Sequence, residues 1–278
     1  MEVGIIASAP QADRTLLALP TEIRIAILEY VLEDIRNVDG FKNHCRPGGI
    51  VLEDGYTAAK GFEVLNTCKQ FHSDGNLLAL NRTHFVVTNL FFHIPDRLWL
   101  LHPKQVEAIR NITFVADARH FQKLKTWRDC PFGMKSLNLD TLTIVLHRSN
   151  HWHYLFDFTA SITNLLRNLN GVKRFIFVRN NALVKGSFKT WYNRLIGLIL
   201  KIDHYQRYDA FPTSLEKVWW TWNYDEIAQS FCLEACPAKS WCGEEQYMQQ
   251  MLPLIEAWKV SCENEEWNPD PRSRNLYY

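Results

Sequence analysis

The chain has 278 residues, 47% of them apolar, enough to bury a sizeable core without a disulfide scaffold. Lys and Arg total 31 against 30 Asp and Glu, so net charge gives no reason to expect nucleic acid or an anionic lipid surface as partner. The opening MEVGIIASAPQADR has an acid at position 2 and no basic run, which does not read as a secretory leader, and the longest later apolar run, LIGLIL at 195–200, is too short to span a bilayer.

Seven cysteines, an odd number unevenly spread, then read as reduced thiols in a cytoplasmic and/or nuclear protein.

In chain order, residues 1–14 read as a flexible tail. A helix follows. Leu19, Ile23, Ile27 and Val31 recur every four residues, flanked by Leu28 and Leu32. Pro20 suits a first helical position, where a missing N–H costs little, and Glu22 suits the positive end of the helix dipole. Residues 34–60 lose periodicity and hold Asn37, Gly40, Pro47, Gly48, Gly49 and Gly55, which predicts an irregular insertion. A second helix is expected over 61–80, with Val64, Leu65, Cys68, Phe71 and Leu78 on one face and Gly75 as a weak point or break.

From about residue 100 the pattern changes. Strand-like runs appear at RNITFV (110–115), LDTLTIVL (139–146), VKRFIFV (172–178) and LEKVWWTW (215–222), after a short β-rich HFVV at 84–87. Helices are expected over 102–109, over 159–171 with Gly171 as its stop, over 187–202 with Ser187 as N-cap, and over 244–260 with Pro253 kinking or shortening it. Strands alternating with helices favour parallel pairing. The fold class is therefore α/β (or α+β): a helical module (15–82) on an open, mostly parallel α/β body (83–262), with a tail over 263–278. The loose strand–connection–helix repeat is compatible with a degenerate leucine-rich-repeat-like array, and equally with a compact sheet.

LPTEIRIAILEYVL at 19–32 and LNTCKQFHSDGNLLALN at 65–81 together resemble the two halves of an F-box, and more closely a group of fungal F-box-like proteins. Leu19, Pro20, Glu22, Ile23, Arg24, Ile27, Tyr30, Val31 and Leu32 carry the first half; Leu65, Cys68, Gln70, Leu77, Leu78 and Asn81 carry the second. The resemblance implies a substrate receptor that docks a Skp adaptor of a cullin–RING ubiquitin ligase and presents a target protein held by the body. It places adaptor contacts at Leu19, Pro20, Ile23, Ile27, Leu65 and Cys68. It implies no catalysis, no cofactor and no membrane, and a monomer apart from the adaptor. A typical F-box joins its halves by a short turn, whereas here residues 34–60 intervene. Periodicity is equally compatible with these helices serving only as core of an interaction scaffold.

Other clusters read as structural. Cys232, Cys236, Cys242 and Cys262 offer only one pair at zinc-like spacing and read as buried thiols. His147, His151 and His153 lack a third ligand at fixed offset and read as surface or loop residues. The aromatics of VKRFIFVRN are expected in the core, not stacked on RNA bases. Trp219, Trp220 and Trp222 read as a strand buried on both sides. No phosphate loop, GxSxG or HExxH is present, and an enzyme of unrecognised type using the α/β body is the weakest reading.

Overall fold

The computed structural model describes residues 15–36, 40–43 and 49–267. The tail expected over 1–14 lies outside the described residues, as does 268–278. The chain is mixed α/β around a six-stranded sheet in the order β3-β4-β5-β6-β8-β7. Four strands run parallel in sequence order: β3 (His84–Val87), β4 (Asn111–Ala116), β5 (Leu139–Leu146) and β6 (Val172–Val178). β7 (Val218–Asp225) and β8 (Ser230–Pro237) form an antiparallel hairpin, with β8 inserted beside β6. The run expected at 215–222 thus starts later. It ends as an edge strand, where the exposed Thr221 and Asn223 alternate with the buried Trp220 and the half-buried Trp222.

One face of the sheet carries the main core. Ile112 and Phe114 of β4, Leu142 and Ile144 of β5, Phe175 and Phe177 of β6, and Phe231 and Leu233 of β8 all point into it. It is covered by α4 (Pro103–Ala108), α5 (Ala118–Lys123), α6 (Thr159–Leu166), α7 (Phe188–His204) and α8 (Glu244–Trp267). Ser187 caps α7 as its sequence suggests, its Oγ accepting from the Thr190 N–H at 3.0 Å. Phe175 and Phe177 are fully buried, so neither is presented for base stacking.

Residues 34–60 are not an irregular insertion throughout. They contain a hairpin of β1 (Phe41–Asn43) and β2 (Ile50–Leu52). Leu52 packs with Val115, Val145 and Val178 on the sheet face that the helices leave open. Asn180, held at φ 52° just past β6, ties it down. Its Oδ1 accepts from the Leu52 N–H at 2.9 Å, and its Nδ2 donates to the Leu146 carbonyl at 3.0 Å. Arg148 donates to the same Oδ1 and to the Leu52 carbonyl. Gly49 allows the entry: a Cβ there would meet the Ala228 carbonyl oxygen at 2.2 Å.

Two further expectations are corrected. The second helix is split at Thr67–Cys68, not at Gly75: a 3₁₀ stretch (Ala58–Asn66) precedes α2 (Lys69–Arg82). Gly75 lets two elements approach α2 closely, since a Cβ would lie 2.8 Å from Leu65 and 3.0 Å from Leu28. The last helix runs through Pro253 and past 263, because Pro253 is exposed and its ring meets solvent; no tail begins at 263.

A buried ion network fastens α7, the β7–β8 hairpin and α8. Arg207, fully buried, donates to Asp203 at 3.2 Å and to Glu216 at 2.6 Å. Asp203 also pairs with Lys239 at 2.8 Å and accepts from the Tyr247 hydroxyl at 2.6 Å. Burial pushes the Asp203 carboxyl up, but Lys239 and Tyr247 outweigh it and hold it at about 2. The contribution of this group is therefore present above the ordinary aspartate range near 4 and is lost as pH falls toward about 2. Asp203→Asn strands buried cations and is expected to cost about 3–5 kcal/mol by urea unfolding, with the wild-type advantage shrinking between about pH 4 and 2. A pH-independent loss, or none, contradicts this account.

Candidate docking surface

The N-terminal module builds its core from one stripe of α1 (Thr21–Arg36) and the opposed face of α2. Arg24, Leu28 and Leu32, spaced i, i+4, i+8, are buried. Leu32 packs with Leu65 and Ala79, and Phe62, Val64 and Leu78 close the cluster. Arg24 belongs to this inner stripe because its charge is matched: Nε donates to Asp74 at 2.8 Å and Nη2 to Thr21 at 3.0 Å. Its Nη1 donates to the Leu19 carbonyl, bracing the turn that leads into the helix. Hydrogen bonds from Arg24 and Gln70 hold the Asp74 carboxyl below the usual carboxylate range.

The neighbouring stripe of α1 faces outward. Ile23 is 48% exposed, Tyr30 79% and Val31 47%, and Ile27 between them is half-buried. Leu16 and Leu17, in a short 3₁₀ turn (Leu16–Ala18) before Pro20, are also exposed. Six apolar or aromatic side chains at the start of the module thus lie outside its core cluster.

The residues singled out from sequence separate into two groups. Pro20 and Ile23 are exposed, Leu19 and Ile27 half-buried, all on or beside the outer stripe. Leu65 is buried at 3% exposure inside the module, and Cys68 is half-buried as the N-cap of α2, its Sγ accepting from the Phe71 N–H at 3.4 Å. Sequence reasoning named neither Leu16, Leu17 nor Tyr30 as surface anchors. The first two precede the periodic run, whereas Tyr30 sits at i+7 from Ile23 and was legible from spacing.

Elsewhere, the cysteines are half-buried and dispersed. Cys232 and Cys236 lie on β8, Cys242 in the following loop and Cys262 on α8. No group of three or more metal-ligating side chains occurs among the described residues. His153 is not a surface residue: it is buried, its Nε2 lies 2.8 Å from the His147 carbonyl, and burial pushes its pKa down. Trp219 and Trp220 are both buried, Trp220 donating from Nε1 to the Leu166 carbonyl at 2.8 Å. No helix among the described residues is long and apolar enough to cross a membrane.

No protein-family model, curated protein or solved structure matches this chain.

The two stripes of α1 predict opposite outcomes. Leu28→Ala removes a core side chain and is expected to cost about 2–5 kcal/mol in chemical unfolding. Ile23→Asp, on the outer stripe, is expected to shift stability by no more than about 0.5 kcal/mol. Equal losses in both variants would show that the outer stripe is core.

Proposed function

We propose that the chain is an F-box-like substrate receptor, docking a Skp adaptor through the N-terminal module and holding a target protein on the α/β body. The observation that carries this reading is the outward apolar stripe of Ile23, Ile27, Tyr30 and Val31 on a helix whose inner stripe already closes the module. A contiguous exposed apolar patch disfavours solubility and marks an interaction face. Side chains at i, i+4, i+7 and i+8 are the anchors by which a helix is read by a partner groove. Arg24 supports the reading by holding the chain before α1 through the Leu17 and Leu19 carbonyls. On this reading Leu19, Pro20, Ile23 and Ile27 touch the adaptor, and Leu65 and Cys68 shape the helices that present them.

The described part of the long connection that departs from a typical F-box packs on the body, where β2 lies on the sheet. The sequential parallel order of β3, β4, β5 and β6, with helices on one face, supports reading the body as a degenerate leucine-rich-repeat-like array. The receptor works in the cytoplasm or nucleus, where the ligase adaptor is found, and makes no covalent chemistry of its own. The scaffold alternative keeps the same core but leaves the outer stripe unused.

Co-purification of the full chain with a fungal Skp adaptor tests the reading. Wild type is expected to retain the adaptor, and Ile23→Asp/Tyr30→Asp, checked as folded by circular dichroism, is expected to lose it. Failure of folded wild type to retain the adaptor, or retention undiminished in the double variant, contradicts the proposal.

A further inference from the structure

Two adjoining recesses share the side chain of Trp127. The first, about 280 Å³, lies between α3 (Ile94–Leu98) and the segment after α5, and is lined by Phe92, Ile94, Phe114, His120, Trp127 and Phe132. Three of its rings form a continuous wall: Trp127 and Phe132 have centroids 4.6 Å apart, and Phe114 lies 5.8 Å from Phe132. The second, about 540 Å³, is bordered by Arg128, Asp129, Lys135 and Lys217. It therefore sets three cations against one carboxylate, and none of the three cations is ion-paired among the described residues.

The chain holds this corner in a costly conformation. Arg128 and Phe132 both lie in the left-handed region, at φ 59° and 55°, which side chains of their bulk rarely adopt. Such strain persists where surrounding structure enforces it, and it clusters at binding sites. Here one strained residue lines each recess.

The chemistry of a ligand follows from size and charge. A volume of 280 Å³ falls just below the range of small-molecule pockets and suits one bulky side chain. A wall of aromatic rings would also attract a cation. That occupant is disfavoured here, because Lys123 stands at the same recess and the nearby Asp117 carboxylate is taken up by Arg119 at 2.6 Å and His120 at 2.8 Å. An apolar side chain meets no such conflict. The adjoining recess, with its unmatched cations, calls for acidic neighbours on the same ligand.

We propose that this pair of recesses docks a short acidic segment of a partner protein, its one bulky apolar side chain against Trp127 and Phe132 and its carboxylates on Arg128, Lys135 and Lys217. The inference deepens the receptor reading and rests on it only for calling that partner the target.

The test is fluorescence anisotropy with the full chain and a dye-labelled heptapeptide, Glu-Asp-Glu-Phe-Glu-Asp-Glu. Wild type is expected to bind it, and binding is expected to weaken at least about tenfold when the central Phe is replaced by Ala. A Lys135→Glu/Lys217→Glu variant, folded by circular dichroism, is expected to lose at least as much, and a peptide with Lys in place of every acid is expected not to bind. No binding to folded wild type, equal binding of the Ala peptide, or tighter binding of a single-stranded RNA oligomer would overturn the proposal. Adaptor retention is scored on the same preparation. Adaptor held without peptide sinks only this site, and peptide held without adaptor sinks only the receptor reading.

Discussion

Parallel strands expose two faces to be buried, and the crossover helices of this chain cover only one of them. Val115, Val145 and Val178 point to the other face, and they are buried because β2 is brought across to them. That cover is drawn from the segment between the two helices of the N-terminal module. The module is thereby anchored to the body at the Asn180–Leu52 and Arg148–Leu52 hydrogen bonds. Further ties form where the Tyr56 hydroxyl donates to the His84 carbonyl at 2.8 Å and where Phe62 approaches Phe85 at 6.3 Å. The requirement to bury the second sheet face thus fixes where α1 and α2 sit.

With α2 held by the body, α1 has one side to bury and takes Leu28 and Leu32 for it. The outer stripe is then left to solvent or to a partner. Ile23 and Tyr30 lie outside the module's core cluster, and on the proposed reading their apolar character serves association. The same division holds in the body. The Arg207–Asp203–Glu216 network is sealed away from solvent and serves cohesion, whereas the cations beside Trp127 are exposed and unmatched. Charge that is paired and buried holds the fold together.

Much of the sheet was legible in the sequence, and the limits have physical causes. β5 and β6 match their apolar runs residue for residue, because the centres of both strands are buried and polar turns bound them. β8 was hidden: its Phe231 and Leu233 alternate with Cys232 and Glu234, and the cysteines there read as buried thiols without a strand being assigned to them. β1 and β2 are three residues each, too short to show a period, and their burial depends on strands far away in sequence. Pro253 was expected to kink or shorten the last helix, but a proline on the solvent side is tolerated when the buried side, through Tyr247 and Met251, keeps its packing. On α1 the sequence offers two stripes, 23/27/31 and 24/28/32, and Arg24 gives the latter a polar character. Only its pairing with Asp74, fifty residues along, identifies that stripe as the inner one.

On the proposed reading, α1 is folded on its inner side and recognised on its outer one. Amide hydrogen exchange of the full chain, alone and with a Skp adaptor, tests it most directly. Exchange is expected to slow on complex formation in residues 16–31 and to stay unchanged in the strands of the sheet. Binding that protects other segments and leaves α1 untouched, or an adaptor that changes exchange nowhere, would contradict it.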